Sequence, residues 1–295
     1  MKRSHASSEL IVHPDGSIFH LKLRPQDLAD TVFLVGDPDR VSMFGSLMDE
    51  ILHESHNREF VSVTGRYRNH KITALSTGIG TDNIDIVMNE LDALVNINLE
   101  TRMDHTNHHK LRLIRIGTSG TIQESIAPGS WLLSRYVVGL DGLMPYYRDG
   151  RNLPGHEVSE HLISDMPWPE ILPLPYSVAP DESLTRLFDQ RVIRGITLSA
   201  HGFYAPQGRF LRLQPAVPGF NEMVSRFRYG ELSITNYEME TSALYGLSQL
   251  MGHQAITVCL IIANRFRGDF LEKYQEQMLK LIQYVLNVLF PVNEK

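Results

Sequence analysis

Two stretches of this chain carry residue types that could do chemistry: Arg115-Ile-Gly-Thr118-Ser-Gly120 and Asn236-Tyr-Glu238-Met239-Glu240. The first is expected where a strand runs out into a Gly/Ser/Thr turn. A guanidinium, hydroxyls and free backbone N–H groups at one place suit an oxyanion such as phosphate. The second is expected at the mouth of a helix. Its two carboxylates, two residues apart, suit the vicinal hydroxyls of a sugar. Phosphate gripped beside a ribose points to chemistry at a nucleoside.

Other clusters allow two readings each. Gly36-Asp-Pro-Asp-Arg40 follows a strand directly, so its N–H and guanidinium could hold a phosphate, or it could be a helix cap with a solvated Arg. Gly78-Ile-Gly80 lacks the third glycine of a dinucleotide loop, with Asn83 in its place, and reads as a tight turn. Phe203-Tyr-Ala-Pro-Gln207-Gly-Arg209 could stack on a flat ring and bond its carbonyls, or be a structural aromatic loop. Gly117-Thr-Ser-Gly120 has the wrong spacing for a serine-hydrolase elbow. His105, His108 and His109 lie in a polar segment with no second ligand pair at zinc spacing, so a solvated loop and no metal are expected.

The elements that must position these groups follow from periodicity. Residues 31–35 read as a buried strand, with Asp37 and Pro38 starting a helix. Residues 60–67 and 71–76 read as a hairpin turning near Asn69, and residues 81–98 as a helix with Ile84, Val87, Met88, Leu91, Leu94 and Val95 on one face. Strands are expected at 111–116, 131–138, 191–199 and 255–263. One helix is expected to start near Tyr237, and a C-terminal one to bury Phe270, Tyr274, Met278, Leu281, Val285 and Leu289. Residues 100–110 and 139–175 read as irregular surface loops or lids. Alternating strands and helices imply an α/β sheet, mostly parallel, with ligands at the strand C-terminal ends.

The totals narrow the class. The chain has 295 residues and a net charge of −6, so no basic face advertises nucleic acid and any anion site must be a local arginine cluster. The lone Cys259 excludes an intrachain disulfide. Residues 1–10 lack an apolar signal core and no apolar run could span a bilayer, which points to a cytoplasmic protein without membrane attachment.

Taken in order along nearly the whole chain, Phe19-His20-Leu21, Val35-Gly36-Asp-Pro-Asp-Arg40-Val41, Arg58-Glu59-Phe60, Ser76-Thr-Gly-Ile-Gly80, residues 115–120, 203–209 and 236–240, and Asn264-Arg265 resemble the nucleoside phosphorylase I superfamily, and most closely its uridine phosphorylase branch. The resemblance implies an α/β fold, a single nucleoside phosphorylase domain over 1–295. Its three αβα layers would surround a twisted mixed central sheet. The implied activity is a pentosyltransferase reaction, uridine and phosphate giving uracil and ribose 1-phosphate. A purine nucleoside phosphorylase, a nucleosidase of the same superfamily and a non-catalytic nucleoside sensor are the alternatives.

It also implies roles for single residues. Phosphate falls to Gly36, Arg40, Arg115 and Thr118, with Arg58 from a neighbouring subunit. Ribose falls to Glu240, the Met239 backbone and Arg115, with the neighbour's copy of His20 meeting the 5′-hydroxyl. The base falls to Phe203, Gln207, Arg209, Arg265 and Gly120; Arg115, Gln207 and Arg209 carry catalysis. Partners are a nucleoside and inorganic phosphate as co-substrate, with no other cofactor, in a homodimer or a hexameric trimer of dimers. Some relatives bind a potassium ion at the dimer interface through a serine and a glutamate matching Glu59; here Asn83 stands in place of that serine. Gly208 stands where a bulkier residue is common, and Ala205-Pro206 alters the turn before it.

Overall fold

Thr31–Val35 (β1) is an unalternating run of β-branched and apolar residues, and it is buried on both faces. The structure is a computed structural model describing residues 4–292. Met1, Lys2 and Arg3 of the N-terminal stretch and residues 293–295 lie outside the described residues. The chain divides into two compact units. One runs to Ile114 and takes back Met251–Gln254; the other comprises Arg115–Leu250 and resumes at Ala255.

In the first unit, Asp37 caps α1 (Pro38–Gly45), accepting from the Asp39 N–H at 3.0 Å, with Pro38 at the first helical position. Strands β2 (Glu50–Asn57), β3 (Phe60–Tyr67) and β4 (His70–Ser76) follow, in spatial order β1-β4-β3-β2. β4 runs parallel to β1, with Val35 opposite Ser76, and antiparallel to β3. β2 is mostly polar and exposed, so no apolar pattern announces it; pairing along β3 makes it a strand. α2 (Thr81–Asn96) buries Ile84, Val87, Met88, Leu91 and Leu94 as expected. It stops short of 98 because Ile97–Asn98 (β5) pairs with Met103–Asp104 (β6), inside a segment expected to be irregular.

β7 (Arg112–Thr121) carries the chain into the second unit. There follow β8 (Trp131–Gly139), α3 (Glu157–Asp165), β9 (Tyr176–Val178), α4 (Glu182–Thr185) and β10 (Ile193–Ser199). α5 (Phe220–Ser225), β11 (Arg228–Tyr229), β12 (Leu232–Glu238), α6 (Thr241–Met251), β13 (Gln254–Asn264), β14 (Asp269–Phe270) and α7 (Gln275–Leu289) complete it. β10 is central, parallel to both β8 and β12, and β13 is antiparallel to β8. The sheet is therefore mixed rather than mostly parallel: the short links from β2 to β3 and from β3 to β4 allow only antiparallel pairs, and β13 adds an antiparallel neighbour to β8. Val138, Ile196, Leu198, Ile234 and Tyr237 form the core with Val158 and Leu162 of α3 and with Phe220 and Val224 of α5.

Three sequence expectations shift here. α3 lies within 139–175, where no helix was expected; Val158 and Leu162, one turn apart, anchor it. α6 starts at Thr241, because Tyr237 and Glu238 belong to β12. α7 starts at Gln275, which leaves Phe270 exposed on β14 and Tyr274 at the N-cap. Among the described residues no helix is long and apolar enough to cross a membrane.

Candidate active site

The Gly117–Gly120 segment is not the expected turn; it continues β7 unbroken to Thr121. Its small residues let the strand lie against β12, with Tyr237 opposite Gly120 and Asn236 opposite Thr121. Thr121 Oγ1 donates to the Thr235 carbonyl at 2.7 Å, and Asn236 Nδ2 donates to Ser119 Oγ at 2.9 Å. This antiparallel contact brings the two reactive stretches of the sequence together. Because the segment is extended, it forms no nest of loop amides, and the donors it offers are side chains, buried Arg115 and half-buried Thr118.

Arg115 is only 3% exposed. It donates through Nη2 to Glu240 Oε2, and its Nη1 lies 3.5 Å from Glu238 Oε2 and 3.7 Å from Cys259 Sγ. Burial alone would lower the guanidinium pKa, but the Glu240 and Glu238 carboxylates overcome it and raise the pKa, holding the group charged. The same burial pushes the Cys259 thiol up to about 12. Gly117 makes the geometry possible: a Cβ there would overlap Arg115 Nη1 and lie 3.0 Å from both Arg115 Cζ and Cys259 Sγ.

The two carboxylates have different surroundings. Glu238 caps α6, accepting from the Glu240 N–H at 3.0 Å, the Thr241 N–H at 3.0 Å, Thr241 Oγ1 at 2.7 Å and Ser199 Oγ. Glu240 Oε2 accepts from the Met239 N–H at 3.2 Å as well as from Arg115. Glu238 instead orients both Glu240 and Arg115. Sequence reasoning missed that role because the helix start was placed four residues too early.

The residues expected to meet a base also come together. Gln207 closes the short 3-10 turn Ala205–Gln207 and is buried; its Oε1 accepts from Arg209 Nη1, which also donates to the Phe203 carbonyl at 3.0 Å. The Arg209 guanidinium covers one face of the half-exposed Phe203 ring at 3.9 Å. Arg265 lies 5.3 Å from the centre of the Tyr237 ring. A Cβ on Gly120 would stand 3.5 Å from both Arg209 Nη2 and Arg265 Cδ, so Gly120 is where the two arginines converge.

Neither of these guanidiniums forms an ion pair among the described residues. Burial lowers the pKa of Arg209, and burial with the neighbouring Arg209 pulls Arg265 down to about 10. Buried Arg265 Nη1 has no hydrogen-bond acceptor among the described residues. Two adjacent cations without a counter-charge are costly, and a carbonyl-rich or anionic ring relieves that cost. Gly208 has a structural reason. It sits at φ +66°, and a Cβ there would come within 2.5 Å of Asn221 Nδ2. Asn221 donates to the Gln207 carbonyl at 3.2 Å and accepts from the Tyr237 hydroxyl at 3.0 Å.

In the first unit, Gly36 follows β1 and its Cβ position lies 3.5 Å from the Gly78 carbonyl, beside the Gly78-Ile79-Gly80 turn. Arg40 is buried on α1; Arg58 is exposed in the β2–β3 turn at φ +58°. His20 is half-buried, with Nδ1 2.7 Å from Glu90 Oε1. Gly78 is flanked by Asn83 and by Glu59, whose Cγ lies 3.1 Å from its Cβ position.

The histidine-rich segment is tethered rather than merely solvated: His109 Nε2 lies 2.9 Å from Asp30 Oδ1, and its N–H donates to Asn96 Oδ1 at 2.7 Å. Ligand atoms of Asp92, His108 and His253 lie within 4.8 Å of one another, a group that sequence spacing could not reveal. The Leu111 N–H donates to His253 Nδ1 at 3.2 Å, which puts the neutral ring's proton on Nε2, facing Asp92 Oδ1 at 3.2 Å. A metal needs a lone pair where that proton sits, so the group fits a histidine–aspartate contact better than a metal centre.

Arg115 of β7, held by Glu240, and the Arg209–Arg265 pair gathered at Gly120 of the same strand make one arginine-rich cluster beside a buried carboxylate, a donor set suited to an anion and to a carbonyl-bearing ring. A family model described as the phosphorylase superfamily matches residues 30–289, and the chain belongs to that family. It is 30% identical to the uridine phosphorylase of Thermococcus kodakarensis over 92% of this chain and 86% of that one. It is 28% identical to that of Klebsiella aerogenes, over 85% and 88%. Among solved structures, a Trypanosoma brucei nucleoside phosphorylase described as showing uridine phosphorylase activity superposes with a TM-score of 0.82 at 26% identity, covering 94% of this chain and 99% of that one. The mixed α/β architecture is thus the phosphorylase fold.

Proposed function

We propose that the protein is a pentosyltransferase that cleaves a nucleoside with inorganic phosphate, converting uridine to uracil and ribose 1-phosphate. The carrying observation is the β7–β12 contact: on one strand, Arg115 is locked to Glu240 while Gly120 abuts Arg209 and Arg265. Similarity to uridine phosphorylases over most of the chain supports the same reading.

Cleavage of the glycosidic bond develops positive charge on the ribose ring and negative charge on the departing base. Glu240 and the Met239 backbone hold the ribose hydroxyls. Gln207, Arg209 and Arg265 meet the carbonyl and N–H edge of the pyrimidine as charge arrives there, with Phe203 stacking on the ring. Each donor aimed at a developing anion is worth about 3 kcal/mol, and none needs to reorganise. Phosphate is assigned to Gly36, Arg40, Arg115 and Thr118, with Arg58 from a neighbouring subunit, which makes a homodimer the smallest active form. His20 of the neighbour is assigned to the 5′-hydroxyl. No covalent intermediate on the enzyme and no cofactor is required, and the setting is cytoplasmic.

A purine phosphorylase needs an acid for the purine ring near Asn264. Here the Asn264 amide donates to the carbonyls of Gln123 at 3.0 Å and Ile126 at 2.9 Å, and its oxygen accepts from the Phe266 and Arg267 N–H groups. It has no proton to give. The deciding experiment incubates the protein with uridine, thymidine, inosine and adenosine, with and without phosphate. Uracil released only with phosphate is the expected result. Equal release without phosphate would mean a nucleosidase, preference for inosine a purine enzyme, and binding without turnover a sensor.

A further inference from the structure

We infer that Glu90 is a positioning residue that fixes the tautomer of His20 and so restricts substrates to nucleosides with a free 5′-hydroxyl; this role rests on the assignment of His20 to that hydroxyl. Glu90 projects from α2, its side chain 13% exposed. Its carboxylate accepts from the His20 N–H, 3.0 Å from each oxygen, and from the Leu21 N–H at 2.9 Å. It also meets His20 Nδ1 at 2.7 Å. An ionised carboxylate can only accept, so the proton of the neutral imidazole sits on Nδ1 and Nε2 presents a lone pair.

The rest of the turn is held as firmly. Asn57 Nδ2 donates to the His20 carbonyl at 2.8 Å. Phe19 and Phe60 bracket the ring edge-on at 4.8 and 6.2 Å between centroids. A ring pinned in this way has little freedom to flip and exchange its two nitrogens. A lone pair at Nε2 takes a hydrogen bond from a hydroxyl. A 5′-phosphate monoester presents acceptor oxygens and negative charge to the same lone pair and is repelled. A 5′-deoxy sugar gives it nothing to accept. The Glu90–His20 pair is therefore a filter between nucleosides and nucleotides.

Two measurements test it. Nitrogen-edited NMR of histidine-labelled wild-type protein, with the His20 signal assigned by its loss in His20→Ala, is expected to show the Nδ1–H tautomer. In Glu90→Gln the amide can donate to Nδ1, and the signal should move toward Nε2–H. Kinetics with uridine and 5′-deoxyuridine at saturating phosphate supply the second readout. The wild type should prefer uridine by about tenfold in kcat/KM, the worth of one neutral hydrogen bond. A hydroxyl can accept as well as donate, so Glu90→Gln should keep part of that preference, but its Nε2–H no longer repels a phosphate, and turnover of uridine 5′-monophosphate relative to uridine should rise about tenfold.

An Nε2–H tautomer in the wild type overturns the inference. So does an equal fall for uridine and uridine 5′-monophosphate in Glu90→Gln, which is what a purely structural carboxylate would cause. If the wild type turns over neither nucleoside with phosphate, the phosphorolysis reading fails, and the tautomer spectra alone then decide whether Glu90 controls His20.

Discussion

Gly117→Ala should leave the fold standing and disable the site. The added methyl would overlap Arg115 Nη1 and press at 3.0 Å on both Arg115 Cζ and Cys259 Sγ, closer than real Cβ atoms ordinarily come. The guanidinium is the soft side of that contact, since it ends a flexible side chain, so it should move first. It cannot move without leaving Glu240 and Glu238, which hold it from the other side. Overpacking relieved in this way belongs at the low end of the usual range, about 1 kcal/mol. That corresponds to a fall in Tm of about 2–4 °C for a domain of this size. A displacement of about 1 Å at a positioning group costs on the order of a hundredfold in rate. The assay is phosphate-dependent loss of uridine absorbance, beside a thermal melt. Cys259→Ala added to Gly117→Ala should recover part of the rate by opening the far side of the guanidinium. Wild-type kcat/KM in Gly117→Ala would show that the Arg115 position seen here is not the one that matters.

Asn221→Ala strands the Gln207 carbonyl and the Tyr237 hydroxyl. It should raise KM for the nucleoside by about tenfold while kcat falls less, measured as initial rates at saturating phosphate. Burial raises the pKa of Tyr176, Tyr237 and Tyr245 above the ordinary tyrosine range and that of Cys259 to about 12. A folded-state pKa above the unfolded value gives stability that is full below the unfolded pKa and is lost as pH rises through the folded one. Stability should therefore fall from about pH 9 upward, with these tyrosines ionising only as the fold is lost. Near-ultraviolet tyrosine absorbance and circular dichroism, followed together through an alkaline titration, check this. Ionisation of all tyrosines before any loss of dichroism would contradict it.

Apolar runs made β1, β8 and β13 legible, and period made α2 legible, because burial leaves those signatures directly in composition. β12 left no such mark. Its Thr235 and Asn236 are polar yet buried, satisfied by the Ile196 carbonyl, Ser119 and Thr197. Bonds of that kind depend on which strand lies alongside, and a single sequence does not state it. The Gly117–Gly120 segment misled for a related reason. Small residues mark turns, but they also mark places where another chain segment comes close, here β12 and the arginine heads. Site residue types were readable because guanidiniums and carboxylates name their ligands. Glu90 and Asn221 were not, since their partners are a ring and backbone groups 70 residues away in one case and 14 in the other.

Charge counting around Arg115 says what this residue can and cannot do. One guanidinium faces two buried carboxylates, Glu238 and Glu240, so with both ionised the trio carries net negative charge. At such short range and in low dielectric, that charge opposes a phosphate dianion arriving beside it. Arg115 therefore cannot be the main source of phosphate affinity. On the proposed function, its stronger contribution is to hold Glu240 at a fixed angle for the ribose hydroxyls. Buried Arg115 Nε, which has no acceptor among the described residues, is consistent with a donor kept for a ligand. Attraction for the dianion is the part proposed above for Arg58 of a neighbouring subunit. On the proposed function, orienting the sugar and capturing the anion are separate tasks, and the two carboxylates beside Arg115 favour the first for it.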